Sequence, residues 1–101
     1  MKLDPEALRV VEAVARQGSL TRAGAALGMT QPAVSYRLAQ IEARLGCKLF
    51  RRAAQGCQPT AEGAVLLAAL LPALAQIDAA LAEVAAMGRA PVLRVLTDFG
   101  L

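Results

Sequence analysis

The chain has 101 residues, and its 56% hydrophobic but only 3% aromatic content is the Ala, Leu and Val of helices packed on helices, which excludes a second complete domain and argues against a β-sandwich. The fold class expected is mainly α. The net charge of +3 is unevenly spread, because residues 1–60 hold nine Lys or Arg against four Asp or Glu while residues 61–101 hold two against four, so charge that seeks a polyanion lies in the first part.

No apolar core of a secretory signal follows a basic start, and a cytoplasmic location is expected. Asp4 before Pro5 reads as the cap and first position of a helix in which Leu8, Val11, Val14 and Ala15 recur at helical spacing, ended by Gly18. Ser19 caps a second, short helix with Leu20, Ala23 and Leu27 on one face, and Gly28 supplies a left-handed turn after it. Thr30 caps a third helix with Pro32 in its first turn, where a missing N–H costs nothing. Its apolar stripe is Val34, Leu38, Ile41 and Leu45, and Gly46 closes it.

The runs "CKLFRR" and "GCQP" read as a two-stranded hairpin turning near Ala54 to Gly56, and Pro59, which cannot donate to a ladder, ends the second strand. Cys47 and Cys57 lack CxxC spacing and the chain has no His, so one subunit supplies too few ligands for a metal site. They read as small buried hydrophobes. With a turn near Gln55, Cys57 faces about Arg51, so the two thiols are not natural cross-strand partners.

Thr60 with Glu62 opens the longest periodic segment, which ends near Gly88. Leu67, Leu70, Leu74, Ile77, Leu81 and Val84 are separated by 3, 4, 3, 4 and 3 residues, the alternation of a coiled-coil seam made for another helix. Pro72 faces away from that seam and is expected to kink the helix without breaking it. The unbroken apolar run Ala64 to Ala75 is shorter than the roughly 20 residues a membrane span needs. Beyond Gly88, Pro91 stops helix and "VLRVL" reads as a strand without a partner in the chain. The expected organisation is an N-terminal domain over 1–59, a linker helix over 60–88, and a hinge with the first strand of another domain over 89–101.

Two helices joined by a tight turn at Gly28, the second with a polar outer face, make the pattern of a helix-turn-helix, and the basic excess and the basic hairpin beside it favour nucleic acid over an ordinary helical bundle. The segment "SLTRAGAALGMTQPAVSYRLAQIEARLGCKLFRR", continued by "PTAEG", closely resembles the N-terminal winged helix-turn-helix of LysR-type transcriptional regulators. The matching positions are Ser19, Ala23, Leu27, Gln31-Pro32-Ala33-Val34-Ser35, Leu38, Glu42, Leu45-Gly46, Leu49-Phe50, Arg52, Thr60 and Gly63.

The resemblance implies a bacterial regulator that binds double-stranded promoter or operator DNA without a cofactor. It implies a homodimer paired through the linker helix, tetramers of the full-length protein, and a small-molecule effector taken only by a further C-terminal domain. It also implies that Gln31, Pro32 and Ser35 reach the major groove, with Thr30 near phosphates at the helix start. The chemistry agrees: Gln pairs with adenine N6 and N7, a serine hydroxyl serves either kind of base edge, and a Pro ring meets a thymine methyl.

The chain departs from the family pattern at four places. Tyr36 stands where a basic residue is common, and Arg37 after it takes over the charge. The wing tip "AAQGCQ" has no Lys or Arg, leaving Arg51 and Arg52, with Gln55, as the wing's contacts to phosphate or minor groove. Pro59 replaces a leucine, and Gly24 replaces an alanine at a local cost of about 1 kcal/mol in helix propensity. An alternative of a different class is a protein-interaction module in which the winged fold is scaffold. An enzyme is disfavoured, since no nucleophile has a candidate base beside it and no Gly-rich phosphate loop follows a strand.

Overall fold

The computed structural model describes residues 4–54 and 56–89. The elements run α1 (Pro5–Gln17), α2 (Leu20–Leu27), α3 (Gln31–Leu45), β1 (Phe50–Ala53), β2 (Gly56–Pro59) and α4 (Ala61–Arg89). The first three helices begin where a short polar side chain can satisfy an orphan N–H. The Asp4 carboxylate accepts from Ala7 N–H at 2.7 Å, the Ser19 hydroxyl from Arg22 N–H at 3.2 Å, and the Thr30 hydroxyl from Ala33 N–H at 3.2 Å. Between α2 and α3 the chain reverses at Gly28, whose φ of 68° suits a residue without Cβ.

The core lies between the three helices and the start of β1, formed by Val10, Val11 and Val14 of α1, Leu20 and Ala23 of α2, Val34, Leu38 and Ile41 of α3, and Leu49 and Phe50. Two expected stripes are displaced. In α1 the inward face is Ala7, Val10, Val11, Ala13 and Val14, so Leu8 and Ala15 stand at its edge, half-buried. In α3 Leu45 is exposed, and the last inward position is taken by Glu42.

Glu42 is buried where its carboxylate meets backbone N–H groups at the entry to the hairpin. Its Oε2 accepts from Leu49 N–H at 2.7 Å and Phe50 N–H at 3.4 Å, and its backbone carbonyl accepts from Gly46 and Cys47. Lys48 Nζ stands 3.6 Å from Oε1. One residue thus ties the end of α3 to the entry of the hairpin.

The hairpin is antiparallel with Arg51 opposite Gln58, Arg52 opposite Cys57 and Ala53 opposite Gly56. Cys57 therefore faces Arg52, one residue later than expected, because the loop is the two positions 54–55 and not three. β2 ends at Pro59, as the missing N–H requires. Cys57 N–H donates to the Gly18 carbonyl at 2.9 Å, which holds the wing against the α1–α2 junction.

Thr60 anchors α4 in both directions: its hydroxyl donates to the Lys48 carbonyl at 2.6 Å and accepts from Gly63 N–H at 3.0 Å. A Cβ on buried Gly63 would collide with the Leu49 carbonyl, so this crossing is specific to glycine. The helix continues through Pro72 without a break. The chain divides into two compact units, Met1–Leu71 and Pro72–Leu101, so the first part of α4 belongs to the N-terminal unit.

The six-leucine-type seam divides as well. Leu67, Leu70 and Leu74 are buried in the single chain at 5–7% exposure, whereas Ile77, Leu81 and Val84 are 49–63% exposed. Leu67 and Leu70, within the N-terminal unit, have little surface left for a second helix. By length and composition α4 is sufficient to cross a membrane, contrary to the reading of its apolar run as too short, since the alanine-rich continuation carries only Asp78 before Glu83. Leu67 and Leu70 of this helix are buried in the N-terminal unit, while only 17% of its most apolar 18-residue window is buried in all. Arg89 is the last residue of α4, and the strand expected beyond it lies outside the described residues.

Candidate nucleic-acid interface

Helical geometry sorts the side chains of α3 around its axis. With Val34, Leu38 and Ile41 turned inward, a rotation of about 100° per residue sends Tyr36 to the opposite side. Tyr36 is 65% exposed and Pro32 is exposed on the same outer surface.

Gln31 and Ser35 occupy the flank that faces the wing, and both are half-buried. Gln31 lines a cleft with Ser19, Thr21, Arg52 and Cys57. Ser35 lines a second cleft with Leu20, Arg51, Arg52 and Cys57. Arg52 borders both, as do Leu20 and Cys57, so the two clefts adjoin between α3, the start of α2 and the hairpin. The expected site residues Gln31, Ser35, Arg51 and Arg52 are thus brought together from segments up to 21 positions apart.

The two wing arginines differ in their tethering. Arg51 Nη1 donates to the Pro59 carbonyl at 3.3 Å, which lays its side chain along the hairpin. Arg52 is exposed, and among the described residues neither arginine forms an ion pair. Gln55 lies outside the described residues. Thr30 is exposed beside the first turn of α3, with its hydroxyl engaged as the cap.

Arg37 is not presented with Tyr36. It lies on the opposite flank from Ser35, and its Nη2 stands 2.7 Å from Glu6 Oε1 of α1. The same side of α3 holds a cleft lined by Asp4, Ala7, Arg37, Gln40, Ile41 and Arg44.

One residue of this surface was missed by the sequence reading. Gln40 donates from Nε2 to the Tyr36 hydroxyl at 3.3 Å, extending the polar outer face by one turn, and the i to i+4 spacing from Tyr36 was the signal that could have found it. Gly24 is more than a weak helix former, because a Cβ there would stand 2.6 Å from the Met29 carbonyl oxygen. Glycine lets the α2–α3 turn pass close over α2, which sets where Thr30 and Gln31 begin.

The surface therefore offers an amide, two hydroxyls and an exposed ring on a rigid helix, flanked by guanidinium groups on a hairpin. Such groups can read base edges and grip phosphates together. The family described as the lysR family of bacterial regulatory helix-turn-helix proteins matches residues 5–64.

Over 93 residues the chain is 42% identical to the small neutral protease regulatory protein of Streptomyces coelicolor, a match covering 87% of this chain and 29% of that relative. The chain thus spans less than a third of the curated relative's length. The fold superposes on the probable transcriptional regulator PA0477 of Pseudomonas aeruginosa with a TM-score of 0.75 and 31% identity, covering 80% of this chain and 27% of that one. It also superposes on the CbnR DNA-binding domain in its DNA complex with a TM-score of 0.68 and 26% identity, covering 85% and 99% of the two chains. The winged helix-turn-helix seen here is the one these proteins share, and the chain belongs to the LysR family of bacterial regulatory helix-turn-helix proteins.

Proposed function

We propose that this chain binds double-stranded DNA in a sequence-dependent manner as the DNA-binding segment of a bacterial transcriptional regulator. The observation that carries this reading is that Gln31 and Ser35 of α3 each line a cleft with Arg52 of the wing, Arg51 joining the second. The likeness to a DNA-binding domain crystallised on DNA supports it.

In this reading α3 enters the major groove. Gln31 takes an adenine edge, Ser35 a donor or acceptor, and the Pro32 ring a thymine methyl, while Tyr36 adds a hydroxyl beside them. Thr30 and the free N–H groups at the start of α3 lie near a phosphate. Arg51, Arg52 and Gln55 bring the wing to the backbone or minor groove. The chain acts as a homodimer through α4, with Ile77, Leu81 and Val84 as the part of the seam still available to a second copy.

Titrating the chain onto duplexes selected from a random library and onto unselected duplexes, across a salt series, tests the proposal. The expected result is tighter binding of the selected set, and an affinity whose logarithm falls with log salt by about 0.9 per phosphate contact. Equal binding of both sets at every salt concentration would overturn the sequence-dependent reading.

A further inference from the structure

The α1–α3 side of the molecule carries an arrangement that the base-reading surface does not use. Arg37 projects from the same helix as Gln31, Ser35 and Tyr36, yet its guanidinium meets the Glu6 carboxylate at 2.7 Å, across from one helix to another. Arg44 lies two turns further along this flank, and Asp4 lines the same cleft. Asp4 is committed to the cap of α1 through Ala7 N–H, which leaves Glu6 as the carboxylate that meets Arg37.

Both partners keep solvent access, with 40% of the Arg37 side chain and 61% of the Glu6 side chain exposed, so the pair is a surface contact that a phosphate can compete for. We propose that Glu6 is a positioning residue that holds Arg37 against α1 and away from the groove-facing row of α3. Its effect is to restrain sequence-blind attraction to phosphate while leaving base reading to Gln31, Ser35 and Tyr36. The proposal rests on the DNA-binding reading given above.

The physical basis is a difference in what each contact discriminates. A guanidinium free to reach phosphate tightens every duplex alike, whereas base contacts tighten only the correct one. A carboxylate that captures the guanidinium therefore lowers phosphate-driven affinity for every duplex by a common factor and leaves the difference between duplexes to the base contacts. Glu6 is exposed near the start of α1, and its replacement by Gln keeps size and helix length while removing the charge.

The experiment is a double-mutant cycle with Glu6→Gln, Arg37→Ala and the combined variant, each titrated onto selected and random duplexes of equal length over a salt series. Thermal unfolding of each variant establishes that folding is retained. Glu6→Gln is expected to tighten the random duplex about threefold at low salt and to steepen the log–log salt slope by about 0.9, the signature of one added phosphate contact. In the Arg37→Ala background the same substitution is expected to yield neither change.

An equal gain from Glu6→Gln with and without Arg37 would overturn the proposal, because the carboxylate would then be acting only as a general negative charge. No change on Glu6→Gln in either background would overturn it too. A wild-type chain that binds no duplex at all marks the failure of the DNA-binding reading, and the cycle would register that separately from failure of the Glu6 assignment.

Discussion

Gln31 stands where two requirements meet, since it is the first residue of α3 behind the Thr30 cap and also the side chain nearest the wing cleft shared with Arg52. Replacing it with Ala removes the amide without touching the cap or the core. We expect Gln31→Ala to cost about 1–3 kcal/mol of discrimination at one base pair, seen as relaxed preference there when each position of the site is varied, with an unchanged thermal midpoint. Glu42 gives the opposite pattern. Glu42→Ala leaves the buried Leu49 and Phe50 N–H groups unpaired and is expected to lower stability by about 2 kcal/mol or more in urea unfolding, while Glu42→Gln, which keeps one acceptor oxygen, loses less. The caps were legible from single residues because their partners lie within one turn. The roles of Glu42 and of Glu6 were not, because each meets a group that only the tertiary fold brings near: Leu49 for one, Arg37 for the other.

At the level of elements, the wing and α4 carry separate tasks. Arg51→Ala and Arg52→Ala are each expected to weaken all duplexes alike and to reduce the magnitude of the salt slope by about 0.9, as the loss of a wing contact to phosphate would. Along α4 the outcome depends on position. Leu67→Ala, at a buried site, is expected to destabilise the fold by about 2–5 kcal/mol, as measured by denaturant titration. Leu81→Asp, at a site 60% exposed, is expected to leave the fold intact and to weaken self-association in sedimentation experiments. Helix and strand boundaries could be anticipated from Asp4, Ser19, Thr30, Gly46 and Pro59, whose local chemistry starts or stops an element. The division of the α4 seam could not, because a heptad pattern reports an apolar stripe without saying whether the partner is the same chain or another.

For the molecule as a whole, the uneven charge along the chain acquires a structural meaning. The basic excess of residues 1–60 belongs to the helices and wing, where Arg51 and Arg52 line a cleft with Ser35 and Arg37 is held by Glu6. The mildly acidic remainder includes most of α4, whose exposed Ile77, Leu81 and Val84 suit a second copy better than a polyanion. The homodimer proposed above carries two copies of the recognition helix α3. The most direct test of the account is selection of bound duplexes from a random library with the intact chain, followed by sequencing of the enriched pool. The account predicts two related half-sites in inverted orientation, with centres about 34–36 Å apart or a multiple of that spacing. A pool with no enriched sequence would contradict it.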